Sequence, residues 1–222
     1  MKPHLITLDG PVAVGKSSVG SLLAKRLSYV FFDTGMMYRA FTWKALIAGV
    51  SPGNERKLCH LATTTNFSFV VSQEGHITIL VDGYDVSGEL LSPKIENHVP
   101  LIAKVAEVRQ AMVVEQRKLA RRGNLVMAGR DIGTVVLPWA ELKIFLSAST
   151  QERGKRRYKE LLEQGKHVTP ETVLADLKKR DEMDTHRITS PLKPAGDAII
   201  INTENLSLKQ VTDKIYMLAL NK

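Results

Sequence analysis

Gly10-Pro11-Val12-Ala13-Val14-Gly15-Lys16-Ser17 fits G-x-x-x-x-G-K-[ST], a loop that cradles the phosphates of a nucleoside triphosphate. Each fixed position has a physical task. The glycines let the backbone curl around phosphate oxygens with no Cβ in the way. Successive N–H groups then point at the anion, and a helix beginning near Gly15 adds its positive end. Lys16 supplies a mobile point charge for the β- and γ-phosphates, and the Ser17 hydroxyl, with Ser18 beside it, is placed to enter the shell of a Mg²⁺ ion. The motif lies where the chemistry requires, between the apolar run Leu5-Ile6-Thr7-Leu8 and a helical pattern from Ser17 to Leu27 with Val19, Leu22, Leu23 and Leu27 on one face.

Working outward, short apolar runs recur at Tyr29 to Phe32, Leu125 to Ala128, Leu142 to Leu146 and Ala198 to Ile201. Helical patterns separate most of them, which predicts an α/β fold with a parallel sheet covered on both faces. One segment breaks the rhythm. From Asn66 to Val86 the apolar positions fall at every second residue (Phe67, Phe69, Val71; Ile77, Ile79, Val81). Turn signals at Gln73-Glu74-Gly75 and Asp82-Gly83 make this a small antiparallel insertion. A long helical stretch follows from about Asn97 to Ala120, with Leu101, Ile102, Val105, Val108, Met112 and Val113 towards the core. Ser149-Thr150-Gln151-Glu152 reads as a capping box opening a helix that carries Arg153, Arg156 and Arg157. Thr169-Pro170-Glu171 starts another.

The 222 residues suffice for one domain with an embedded subdomain. A single cysteine, Cys59, rules out a disulfide within the chain and points to a reducing compartment. The start of the chain lacks the pattern of a secretory leader, and no apolar run has the length of a membrane span, so the cytoplasm is expected. The net charge of +8 comes from scattered basic residues in a chain only 6% aromatic. That favours small phosphate-rich ligands over nucleic acid or a membrane surface.

Two further stretches carry chemistry. Asp33-Thr34-Gly35-Met36-Met37-Tyr38-Arg39 follows the second apolar run, and Gly129-Arg130-Asp131-Ile132-Gly133-Thr134-Val135-Val136 follows the third. Residues beyond the carboxyl ends of parallel strands line the ligand crevice. With these motifs in place the chain resembles the bacterial cytidylate kinases of the nucleoside monophosphate kinase superfamily. The resemblance runs on through Ser87-Gly88-Glu89, Lys143-Ile144-Phe145-Leu146, Arg153, Arg156 and Arg157, Arg180-Asp181 with Asp184 and Arg187, and Leu206-Ser207.

The resemblance implies a single P-loop kinase domain with a five-stranded parallel core (about residues 1–50, 100–150 and 185–222). It also implies an acceptor-binding region with the β insertion (about 51–99) and a short helical lid (about 151–170). The implied reaction is ATP with CMP or dCMP giving ADP with CDP or dCDP, assisted by Mg²⁺, in a monomer. Lys16, Arg130, Arg187, Arg153 and Arg157 then surround the transferred group. Thr34, Tyr38, Arg39, Arg109, Arg130, Asp131, Arg180, Asp184 and Arg187 hold the acceptor. Within that set, Asp131 and Arg109 face the base, Arg180 and Asp184 the ribose, and Arg39, Arg130 and Arg187 the phosphate. Ser17 and Asp33 serve the metal, although a crevice carboxylate paired with Arg130 reads the same way in sequence. Asp131 with Arg109 also reads as an ordinary supporting ion pair.

Three positions depart from the family pattern. Pro100 stands where a serine touching the base is expected, Ala128 where an acidic residue often precedes Gly-Arg-Asp, and Asn202 where an aspartate precedes Thr203. The rival readings are a P-loop kinase for UMP or a non-nucleotide acceptor, a nucleotide switch and a nucleic-acid module. The switch lacks its guanine-selecting Asn-Lys-x-Asp.

Overall fold

The structure is a computed structural model and describes residues 2–72, 75 and 77–222. Its centre is a five-stranded, wholly parallel sheet of β1 (Leu5–Asp9), β2 (Val30–Asp33), β6 (Leu125–Gly129), β7 (Leu142–Ser147) and β8 (Ile199–Asn202), in the order β2-β6-β1-β7-β8. Along β1 the side chains alternate between two apolar clusters. Leu5 joins one with Met127 and Phe32, and Ile6 and Leu8 join the other with Val126 and Ile144. A strand buried on both faces needs the unbroken apolar run seen in the sequence. Helices α1 (Lys16–Leu27) and α8 (Leu208–Leu220) cover the second cluster, and α2 (Thr34–Ile47), α3 (Glu55–Thr64) and α5 (Ala106–Ala120) the first. The α/β class, the strand count and the covered faces are as expected.

The insertion is a three-stranded antiparallel sheet of β3 (Phe67–Val71), β4 (Ile77–Val81) and β5 (Tyr84–Asp85). Asp82 (φ 52°) and Gly83 (φ 86°) form the two-residue hairpin turn between β4 and β5. Gln73 and Glu74 of the other expected turn lie outside the described residues. The insertion does not form a core of its own. Phe67, Ile79, Val81 and Val86 share the cluster of Phe32 and Met37, and Phe69 meets Phe32 edge-on with ring centroids 5.3 Å apart.

Three expectations need correction. The stretch from Asn97 to Ala120 is two helices, α4 (Pro93–Ile102) and α5, because Val105 is extended (ψ 120°) and buries its side chain in the core. Leu22 and Leu101 are exposed; the core stripes of their helices are narrower than the apolar pattern suggested. The capping box at α6 (Thr150–Glu163) is half formed. Ser149 accepts from Glu152 N, but the Glu152 carboxylate turns to Arg156 at 3.0 Å, and Ser149 N donates to Glu204 Oε1 at 2.9 Å instead. A complete box opens α8, between Ser207 and Gln210. Helix α7 (Pro170–His186) starts as expected, with Thr169 accepting from Thr172 N. Among the described residues no helix is long and apolar enough to cross a membrane.

Candidate functional site

The carboxyl ends of all five strands open on one edge of the sheet, and the loop after β1 runs across it. Gly10 needs its glycine: at φ 147° a Cβ would sit 2.3 Å from the Leu146 carbonyl oxygen on β7. Ala13 (φ 59°) and Gly15 (φ 97°) continue the curl into α1, whose first turn carries no acidic residue to compete with an anion. Val14 is buried in the core, so that residue offers a ligand only its backbone. Ser18 is exposed.

Lys16 is not the mobile charge expected. It is buried, and its Nζ donates to the Gly10 and Pro11 carbonyls at 2.8 and 2.6 Å. Burial pushes its pKa well below the ordinary lysine value and nearby Arg130 pushes the same way, against the pull of Asp33 and Asp9. Ser17 is exposed and donates to Asp33 Oδ2 at 2.6 Å. The other Asp33 oxygen accepts from Gly35 N at 2.9 Å, capping α2. Ser17 and Asp33 therefore stand together, and Asp33 is not paired with Arg130.

Across the crevice stand the residues expected to hold the acceptor, brought together from β6, α2, α5 and α7. Arg109 reaches back from α5 to donate to the Ala103 carbonyl (3.1 Å) and to Asp131 Oδ2 (2.5 Å). Both partners are about 5% exposed, so each charge depends on the other. Arg109 also lies over the Tyr38 ring, 5.3 Å from its centroid, and burial pushes the Tyr38 hydroxyl up to about 12. Asp131 Oδ1 faces Arg187 at 3.7 Å. Arg187 is the first residue beyond α7, and its Nε donates to the Ser190 carbonyl. Arg130 Nε donates to Asp184 Oδ2 at 2.7 Å, which leaves its two terminal nitrogens without a hydrogen bond among the described residues.

Asp184 faces several cations. Burial pushes its pKa up, but Arg130, Arg180 and Arg187 hold the carboxyl below its usual range. The cations outnumber it. Burial, with Arg130, Arg39 and Arg157 nearby, brings the Arg180 guanidinium down to about 10. Buried Arg39 Nε and Arg187 Nη2 have no hydrogen-bond partner among the described residues. Such an excess of guanidinium donors without hydrogen bonds is one that an anion would satisfy. Thr34 sits apart from them. Its hydroxyl is buried and donates to the Ala128 carbonyl at 2.9 Å, fixing α2 to β6 rather than facing the crevice.

The three arginines of α6 divide sharply. Arg153 is 4% exposed and all five of its N–H donors are occupied. Nε binds the Ala148 carbonyl, Nη1 the Val12 carbonyl and Asp181 Oδ1, and Nη2 Thr150 Oγ1 and Asp181 Oδ2. It ties the phosphate loop to α6 and α7, which corrects the picture of a phosphate-facing cation. Arg156 likewise binds Glu152 and Thr203. Arg157 is paired with Glu160 at 2.8 Å and lies 3.8 Å from Glu96 of α4, which also accepts from Lys166 at 3.0 Å. Asp181, Glu96 and Asp9 were missed as partners. The sequence carries no signal for pairings between such distant positions. A cleft of about 750 Å³ between β2 and the small sheet touches this constellation only at Asp33.

Comparison with known proteins bears on this geometry. A family profile described as cytidylate kinase matches residues 6–221. The cytidylate kinase of Bacillus licheniformis is 42% identical over 217 residues, 98% of this chain and 96% of that protein. That of Bacillus subtilis is 44% identical over 95% of this chain and 93% of the other. Among solved structures, a gluconokinase from Sinorhizobium meliloti is similar with a TM-score of 0.53 at 12% identity, covering 99% of this chain and 93% of that one; this shows the fold alone. The profile match and the curated relatives span nearly the whole chain, and on that ground the chain belongs to the cytidylate kinase family.

Proposed function

We propose that the chain transfers the γ-phosphoryl group of ATP to CMP or dCMP. The observation that carries this is the buried Arg109–Asp131 pair beside an arginine cluster, facing the phosphate loop across one crevice. An acceptor phosphate oxygen attacks the γ-phosphorus, the bond to the β-phosphate oxygen breaks, and its electrons leave with ADP. Such a reaction needs positioning and charge neutralisation more than covalent chemistry. Lys16 and the loop amides hold the donor, and Arg39, Arg130 and Arg187 hold the acceptor phosphate. Arg180 and Asp184 lie next to it on the ribose side, and Tyr38 supports Arg109. Ser17 and Asp33 offer hard oxygen ligands at an exposed position, a donor set that suits Mg²⁺ carried by substrate phosphates and water. When bound, that ion neutralises phosphate charge.

This reading divides the chain into a core, an acceptor region over residues 51–99 and a lid over residues 151–170, acting as a cytoplasmic monomer. Glu96 with Lys166 and Arg157 is then where the last two meet.

Cytosine presents an amino donor beside two ring acceptors, and uracil replaces that amino donor with a carbonyl. A carboxylate accepting from the amino group while an arginine donates to the ring acceptors reads cytosine and repels uracil. Asp131→Asn keeps the shape but offers an amide donor to the uracil carbonyl. It is expected to lower kcat/KM for CMP and narrow the CMP-to-UMP preference, with ATP affinity little changed. Assays of ATP and Mg²⁺ with CMP, dCMP, UMP and AMP test both the function and this variant. Equal losses with CMP and UMP would assign Asp131 to structure.

Pro100 lies inside α4, one turn before Ala103, whose carbonyl holds Arg109. Proline has no N–H to donate. Pro100→Ser is expected to tighten CMP by about 0.5–1.5 kcal/mol, one hydrogen bond's net worth. Titration calorimetry measures it, and weaker binding would mean the backbone there needs the proline.

A further inference from the structure

Asp9 ends β1, one residue before the first glycine of the phosphate loop. It is buried, 4% exposed, and makes no ion pair among the described residues. Both its oxygens instead accept from backbone: Oδ1 from Ile132 N at 2.8 Å and Oδ2 from Gly133 N at 2.7 Å. These two amides open the π-helical turn Ile132–Val136, directly after Arg130 and Asp131. The first amides of a helical turn have no partner within it and are ordinarily capped by the residue before it. Here that residue is Asp131, and its side chain makes no capping bond. It is turned instead to Arg109 and Arg187.

The crossing is close. A Cβ on Gly133 would lie 3.0 Å from Thr7 Oγ1, 3.3 Å from Asp9 Oδ2 and 3.3 Å from Lys143 Cδ. The turn therefore rests directly on the sheet face that carries Asp9.

We propose that Asp9 is a positioning residue that caps this turn from another strand, releasing Asp131 to face the base and fixing Arg130 relative to the phosphate loop. The inference rests on the reading of Asp131 and Arg130 above. A single residue then connects the donor cradle to the acceptor clamp, because Asp9 and Gly10 are adjacent in the chain.

Only the ionised carboxylate does this with both oxygens. A protonated carboxyl turns an O–H towards one of two N–H donors, and that hydrogen bond is lost. The charged groups facing Asp9 are Lys16 from α1 and Asp131 from the segment after β6; Lys143 on β7 passes beside Gly133 but carries its ammonium to the Pro138 carbonyl and Asp197. Burial pushes the Asp9 carboxyl up to about 6; the Gly133 and Ile132 amides pull it down, Asp131 raises it and Lys16 lowers it. The folded chain thus holds more protons than the unfolded one between about pH 4 and 6, and this group's contribution to stability falls as pH rises through that window. An ionised Asp9 costs the fold stability, which argues for a role in the site.

The test compares Asp9→Asn with the wild-type chain, using CMP and ATP from pH 5 to 8. Ionisation of CMP itself affects both proteins alike and cancels in their ratio. Asparagine keeps one acceptor and loses the other. At pH 8 kcat/KM for CMP is expected to fall about tenfold, because the turn that sets Asp131 and Arg130 is then held through one amide instead of two. ATP affinity and melting temperature are expected to hold, or the latter to rise. As pH falls to 5 the ratio should approach one, because the wild-type Asp9 is then protonated too. A ratio independent of pH, an equal loss of ATP affinity, or a lower melting temperature at pH 8 would overturn the proposal. If Asp9→Asn does not fold, Asp9→Ser, which also keeps one acceptor, is expected to show the same rise in ratio. A wild-type chain inactive on CMP at every pH would instead sink the functional reading beneath it.

Discussion

Replacing Lys16 by Ala is expected to lower turnover by about a hundredfold or more while the chain remains folded. The structure sharpens the reason. Lys16 Nζ is held by the Gly10 and Pro11 carbonyls inside the loop that its own cation helps shape. Its charge is poorly solvated, since burial and Arg130 both press against it. A phosphate arriving in the loop supplies the negative charge that this ammonium lacks, so the attraction is strongest where charge concentrates in the transition state. Alanine removes that charge and leaves two carbonyls facing the anion. The fold should tolerate the change because β1 and α1 are fixed by Ile6, Leu8, Val19 and Leu23, all buried on the far side of the loop. Turnover with CMP, circular dichroism and ATP affinity check this together. A folded Lys16→Ala protein with near-wild-type turnover would refute the role.

The core of the fold was legible because its signals are local. Each parallel strand is an unbroken apolar run, and the insertion announces itself by a change of period from helical to two. The phosphate loop was legible for the same reason: its residues are consecutive. What was not legible depends on contacts between distant segments. The break between α4 and α5 follows from Val105 choosing the core, against helical periodicity on both sides of it. Glu152 looks like the far half of a capping box until Arg156 competes for it and Glu204 takes its place. Arg153 and Arg157 look equivalent in sequence, one turn apart. The position of Asp181 on α7 makes the first a strut, while the second stays half-buried, paired with Glu160 and near Arg180. Asp9 is invisible in a run that reads simply as buried strand, because its partners are backbone amides more than a hundred residues away.

The same distinction explains which site assignments rest on motif and which on geometry. Asp33 paired with Ser17 or with Arg130 is one pattern in sequence and two arrangements in space. The structure adopts the first, and Arg130 turns to Asp184. Arg109 and Asp131 do pair, yet pairing alone does not separate base reading from support, which is why the test of Asp131 compares two acceptors.

Arg130→Met and Arg187→Met are expected to cut kcat/KM for CMP by about a hundredfold, with ATP affinity of the free protein little changed. Arg130 stands between the two halves of the site. It is near enough to Lys16 to depress that lysine and is held by Asp184 through Nε, and neither terminal nitrogen has a hydrogen bond among the described residues, which leaves both to a phosphate. Arg187 Nη2 is buried without a hydrogen bond among the described residues, 3.7 Å from Asp131 Oδ1, and Nη1 lies 3.9 Å from Asp184 Oδ1. Methionine keeps most of either side chain's volume, so packing should change little. Removing Arg130 relieves part of the crowding that, added to burial, brings Arg180 down to about 10; removing Arg187 relieves its repulsion with Arg109, and Asp184 keeps Arg180 and whichever of Arg130 and Arg187 remains. The melting temperature is therefore expected to hold or rise as activity falls, as happens where a site is retained at some cost to stability. A structural arginine would behave differently, losing stability and both substrates together. Binding of ATP followed by fluorescence, CMP-dependent turnover and thermal unfolding distinguish the cases. If ATP affinity drops as far as CMP efficiency, these arginines belong to the donor side and the acceptor clamp must be sought elsewhere.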